Sequence, residues 1–111
     1  MTPEEKCCDL EHAKKLVEAG ISFPDSYWIY NLWKSLRLRK DEIQHQIKYP
    51  APDSDELLVW LKENLKYPIV NITHYGESWD CFNRNPKISF NNINLANALA
   101  ELAVWVVKKG L

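Results

Sequence analysis

Glycine is scarce in this chain, with three in 111 residues. No glycine-rich loop is available to cradle a phosphate, and neither a P-loop nor a dinucleotide fingerprint occurs. Cysteine is equally sparse. Cys7, Cys8 and Cys81 form no C-x-x-C, the adjacent pair would bond only with strain, and the odd count leaves one over. A disulfide framework is therefore excluded, and reduced thiols of a cytoplasmic protein are expected. No apolar run approaches the roughly 18 residues of a membrane-spanning helix. The charged opening Met1-Thr2-Pro3-Glu4-Glu5-Lys6 leads into no apolar stretch, so no secretory leader is expected either. An excess of one charge is also lacking: 14 Lys and Arg meet 15 Asp and Glu, a net −1. That balance argues against a polyelectrolyte-type nucleic-acid binder and against an anionic-membrane binder.

What is present describes a globular chain. Hydrophobic residues make up 46% and charged residues 26%, too apolar for disorder. Residues 1–111 have room for one core and one domain. Five tryptophans promise a core rich in aromatic area.

Helix signals come first. Thr2-Pro3-Glu4-Glu5 reads as a capping box, but Asp9 is the better N-cap, before Leu10, Ala13, Leu16 and Val17 on one face. The first helix is expected over about residues 9–19, with Gly20 as its left-handed C-terminal residue and Ile21 packing back on Leu16. Asp53-Ser54-Asp55-Glu56 is a second capping box, opening a helix with Leu57, Leu58, Leu61 and Leu65 as its buried stripe and Pro68 as its stop. Asn94 caps a last helix carrying Leu95, Leu99, Leu102 and Val106, widened by Ala98, Ala103 and Val107, with Lys108 and Lys109 at its negative end and Gly110-Leu111 as a Schellman ending.

Between them lie strands. Tyr27 to Trp33 is dense in aromatic and β-branched residues. Its more apolar parity, Trp28, Tyr30 and Leu32 continued by Leu36 and Leu38, is assigned to the core. Ile43, His45, Ile47 and Tyr49 alternate with Gln44, Gln46 and Lys48, a half-exposed strand with His45 inward. Arg39-Lys40-Asp41-Glu42 is the expected hairpin turn. Ile69–Tyr75 and Trp79–Arg84 form a second hairpin around Gly76-Glu77, Asn85-Pro86 breaks it, and Lys87-Ile88-Ser89-Phe90 adds a short edge. The prediction is an α+β fold of order α-β-β-α-β-β-α, an antiparallel sheet of about four strands in two hairpins against three helices.

Three segments carry a family resemblance. Cys8-Asp9-Leu10-Glu11-His12-Ala13-Lys14-Lys15-Leu16, with Glu18-Ala19-Gly20-Ile21, resembles the opening of small phage and prophage proteins of unknown function. Tyr49-Pro50-Ala51-Pro52 leading into Asp55-Glu56-Leu57-Leu58-Val59-Trp60-Leu61 resembles their second landmark, and Asn97-Ala98-Leu99-Ala100-Glu101-Leu102-Ala103-Val104-Trp105 their third. Asp9 stands where those proteins have a serine cap, and the Arg37 to Ile47 region matches no landmark. The resemblance covers most of the chain. It implies a mobile-element context, and no activity or functional residue.

Catalytic patterns are missing. No G-x-S-x-G or H-E-x-x-H occurs, and Cys7, Cys8, Cys81, His12, His45 and His74 show no recognised ligand spacing, so no metal, cofactor or enzymatic activity is expected. Cys81 and His74 are conceivable neighbours across the Gly76 hairpin. Asp53, Asp55 and Glu56 are capping residues before they are an acid–base pair.

One surface remains. The less apolar side of the first hairpin would display Tyr27, Asn31, Trp33, Arg37 and Arg39 beside Gln44, Gln46 and Lys48, an arrangement on which single-stranded nucleic acids stack. From Lys34 to Lys48 five basic residues (34, 37, 39, 40, 48) face two acidic ones (41, 42), a local +3. The simpler reading of the same residues, preferred on sequence grounds, buries Trp33 and leaves a solvated charged turn. The first expectation for function is a non-enzymatic accessory protein that binds another protein or itself. Single-strand nucleic-acid binding is the alternative.

Overall fold

The computed structural model describes residues 2–65, 70–84 and 87–109. Within them the chain is α+β, with four helices and two three-stranded antiparallel sheets. The expected four strands in two hairpins and three helices undercount it, and the order is α-α-β-β-β-α-β-β-β-α.

The helix ends follow local chemistry. A single turn, α1 (Pro3–Lys6), precedes α2 (Leu10–Glu18), whose N-cap Asp9 accepts from the His12 backbone N–H at 2.9 Å. Gly20 sits at φ +80, and Ile21 and Gly20 donate to the Leu16 and Val17 carbonyls, a complete Schellman motif. Helix α3 (Ser54–Asn64) carries the full capping box: Glu56 N–H donates to Asp53 Oδ1 at 2.8 Å and Asp53 N–H to Glu56 Oε1 at 3.1 Å. Asn94 caps α4 (Leu95–Lys109) by accepting from Asn97 N–H at 3.1 Å. Pro68, Ile69, Asn85-Pro86 and Gly110-Leu111 lie outside the described residues.

The first sheet departs from expectation. Residues 27–38 form a hairpin of β1 (Trp28–Asn31) and β2 (Leu36–Leu38), and β3 (Ile47–Pro50) pairs on the other side of β1, giving the order β2-β1-β3. The reversal at 31–35 is made by a side chain: Asn31 Oδ1 accepts from the N–H groups of Trp33 at 2.9 Å and Ser35 at 3.0 Å, and Lys34 adopts φ +62. Arg39–Asp41 and Gln44–Gln46 are single 3₁₀ turns between β2 and β3. The period-two reading of residues 43–49 therefore fails in its first half, and both Ile43 and His45 are exposed. The parity reading of β1 fails too: Ile29 and Asn31 are buried as well as Tyr30, while Leu32 is exposed.

The second sheet has the order β4-β5-β6, from β4 (Val70–Tyr75), β5 (Ser78–Arg84) and β6 (Lys87–Asn92). Gly76 at φ +58 leads its two-residue turn, as expected of a glycine-first hairpin.

Helix α4 is the axis of the core. Ala96, Ala98, Leu99, Ala100, Leu102, Ala103 and Val106 are all buried, because α2, α3, β5 and β6 all pack on it. Alanines around its circumference let those neighbours approach closely, so α4 has no wide solvent face. Leu16, Leu57 and Leu61 from α2 and α3 join the same cluster. The first sheet is tied in through the Tyr30 hydroxyl, which donates to the Cys8 carbonyl at 2.9 Å.

Candidate functional site

The six residues assigned to the first hairpin's outer surface divide into two groups. Asn31 is buried and organises the 31–35 turn. Arg39 is also structural: its Nε donates to the Ser26 carbonyl at 2.8 Å, and its terminal nitrogen to the Phe23 carbonyl at 3.2 Å and Ser26 Oγ at 2.9 Å. These bonds fasten β2 to the loop before β1. The other four, Tyr27, Trp33, Arg37 and Lys48, face solvent. Arg37 Nε lies 3.3 Å from Glu42 Oε1, and Lys48 Nζ stands 5.7 Å above its neighbour Tyr49's ring. Arg37 is paired with Glu42 and Arg39 is committed to two carbonyls and a hydroxyl, so the exposed lysines of the segment are Lys34, Lys40 and Lys48.

Trp33 is 65% exposed and Tyr27 71% exposed, so the burial of Trp33 preferred from sequence is corrected. The cause is the turn. With the chain reversing over 31–35, Trp33 stands at the tip of the turn, beyond the end of β1. Leu32 (51% exposed) is beside it, and Leu32 N–H donates to the Gln46 carbonyl at 3.0 Å, fastening the tip to the segment that carries Ile43 (58% exposed). Three large apolar side chains are thus exposed on two segments joined by this backbone bond.

A second constellation was not singled out from the sequence. His12 is buried between two carboxylates, with Nδ1 2.7 Å from Asp9 Oδ1 and Nε2 2.9 Å from Glu101 Oε1. Burial raises the Asp9 carboxyl, but the His12 backbone N–H, its ring and the Asn97 amide outweigh this and hold it below its usual value. The cluster joins the start of α2 to the middle of α4. The Asp9–His12 half was visible as an i, i+3 pair at a helix start, whereas Glu101, 89 positions from His12, was not. A shallow groove of about 340 Å³ opens beside it, lined by His12, Lys15, Phe90, Glu101, Val104 and Trp105 among others.

The thiols are placed for packing. Cys7, Cys8 and Cys81 are free and buried. Burial, reinforced by nearby carboxylates, pushes the thiols of Cys7 and Cys81 up to about 12 and that of Cys8 higher still. Thiols in that range hold almost no thiolate at neutral pH and are poor nucleophiles. Cys81 faces Ile72 across the hairpin, and His74 instead faces and stacks on Trp79 at 4.1 Å, so the conceived Cys81–His74 pair is not formed as cross-strand partners. Among the described residues no group of three His, Cys, Asp or Glu is placed to hold a metal ion, and no helix is long and apolar enough to cross a membrane.

Compared with protein-family models, with curated proteins and with solved structures, the chain matches none.

Proposed function

We propose that this protein is a non-enzymatic interaction module of the phage or mobile-element accessory kind, acting in the cytoplasm by binding another protein through the tip of its first sheet. The observation that carries the reading is the joint exposure of Leu32, Trp33 and Ile43 on backbone that is held in place. A large apolar group held out to water has no use inside the fold, and an aromatic with aliphatic neighbours is the usual centre of a protein-binding patch. The Asn31 side-chain bonds and the Leu32–Gln46 bond fix the tip in advance, which lowers the ordering cost of binding. The mobile-element part rests on the sequence resemblance alone.

The test compares wild type with a Leu32→Ser, Trp33→Ser, Ile43→Ser triple variant of equal circular dichroism, each immobilised in lysate of a host cell. A partner held by wild type and released by the triple variant supports the reading. Identical captured proteins on both overturn it.

The second reading, single-strand nucleic-acid binding, is favoured by the exposed rings of Tyr27 and Trp33 with Lys34, Lys40 and Lys48 on the same segment. It requires affinity for a labelled oligonucleotide that falls steeply with salt. Salt-insensitive or absent binding removes it.

A further inference from the structure

Each sheet has two edges, and three of the four carry a feature that blocks pairing. Strand β2 is three residues long and bears Arg37. Strand β3 ends at Pro50, and its register with β1 slips at Lys48, the extra residue between Ile47 and Tyr49. Strand β6 begins with Lys87 and lies under α4. Short length, lysine, proline and bulges are the devices that keep edges from pairing with other chains.

Among the described residues, β4 alone has none of them. Val70-Asn71-Ile72-Thr73-His74-Tyr75 runs six residues with no Lys, Arg, Asp, Glu, Pro or Gly, and pairs in unbroken register with β5. Helix α4 lies over β5 and β6, leaving β4 as the outermost strand. The two-residue turn makes Tyr75 and Ser78 a hydrogen-bonded pair, so Thr73 and Asn71 also turn their backbone groups to β5. The N–H and C=O groups of Val70, Ile72 and His74 consequently point to the open edge.

We propose that β4 is a dimerisation edge, pairing antiparallel with β4 of a second copy about a two-fold axis through Ile72. Three features select a second copy as the occupant. An antiparallel pair of identical strands closes on itself, so association stops at two. With the axis at Ile72, residue 70 opposes 74, 71 opposes 73 and 72 opposes 72, which keeps every residue on its own sheet face and brings all three outward-pointing residues into hydrogen-bonded pairs. Moving the axis to Thr73 loses one such pair. Finally, the strand contains no charged side chain, so self-pairing sets no like charges opposite each other. The product is a six-stranded sheet, β6-β5-β4 continued by its symmetry mate, with both copies of α4 on one face. This surface is distinct from the Leu32–Trp33–Ile43 tip, so either assignment can fail without the other.

The experiment uses the full chain with a single added cysteine in a Cys81→Ala background, because Cys81 faces position 72 across the hairpin and would otherwise capture the introduced thiol, while Cys7 and Cys8 are buried. Ile72→Cys, Thr73→Cys and, as a control on the opposite edge, Ser89→Cys are oxidised with diamide, beside sedimentation velocity of wild type over a wide concentration range. A dimer in sedimentation, with Ile72→Cys cross-linking about tenfold or more faster than Ser89→Cys, supports the proposal, because an apposed pair has a high effective concentration. The double variant Asn71→Lys, Thr73→Lys, at two exposed positions that oppose each other on both sides of the axis, then shifts sedimentation to the monomer while circular dichroism is unchanged. A wild-type monomer throughout overturns the proposal. So does a dimer in which neither β4 cysteine outpaces Ser89→Cys. If Thr73→Cys is the fastest, the edge stands and the axis moves by one residue, which overturns the Ile72 register.

Discussion

Asp9 and Asn97 lie 88 positions apart and hold each other through two hydrogen bonds: Asp9 N–H donates to Asn97 Oδ1 at 2.8 Å, and Asn97 Nδ2 donates to Asp9 Oδ2 at 3.1 Å. Asn97 is itself buried at the third position of α4, so the pair locks the starts of two helices. Asn97→Ala is expected to destabilise the fold by about 1–3 kcal/mol, the cost of leaving buried partners unsatisfied. Asn97→Asp should cost more near neutrality, where two carboxylates would face each other. Urea denaturation midpoints check both, and an unchanged midpoint for Asn97→Ala contradicts the lock.

Two carboxylates give opposite pH signatures. Asp9 is held below its usual value, so its contribution to stability is present above the ordinary aspartate pKa of about 3.9 and is lost as pH falls through the lower folded value. Glu56 is raised, chiefly by burial, which outweighs the hydrogen bond from Asp53 N–H. Its contribution is present below the ordinary glutamate pKa of about 4.3 and is lost as pH rises through the raised folded value. Relative to wild type, Asp9→Asn should therefore be most destabilised at neutral pH, and Glu56→Gln most destabilised in acid. Midpoints from about pH 3 to pH 7 test this against the two reference values, and parallel profiles for the two variants would refute it.

Asp53→Ala removes the cap of α3 and half of its reciprocal pair. The expected cost is about 1 kcal/mol, with Asp53→Asn close to wild type because an amide oxygen caps equally well. Thermal melting of the two variants measures the difference.

Trp33→Ala tests the exposed tip. A buried tryptophan would cost about 3–5 kcal/mol on truncation. At 65% exposure the change should stay within about 0.5 kcal/mol, the range of ordinary surface substitutions. If the reading of the tip is right, partner binding falls while the melting temperature stays. A large drop in melting temperature would show that the ring packs inside.

The helix ends were readable residue by residue. Asp9, Gly20 with Ile21, the Asp53–Glu56 box and Asn94 act on backbone groups within about five positions, so the chain needs nothing distant to form them. Gly76 was readable for the same reason, since its turn requires a left-handed residue at that point. The buried stripes of α2 and α3 followed from helical spacing. The first sheet did not. The aromatic and β-branched run from 27 to 33, continued by Leu36 and Leu38, has the composition of one strand, and it reverses because Asn31 can bind two N–H groups of its own turn. That signal was present, but it was outweighed by the apolar parity around it. Which strand β3 would join, which side of β1 would be buried, and whether Trp33 would find a cover depended on packing between elements far apart in sequence. The His12–Glu101 contact and the Asp9–Asn97 lock belong to the same class. Their partners meet only once α4 is seated against α2, and no periodicity along the chain records a contact across nearly ninety residues.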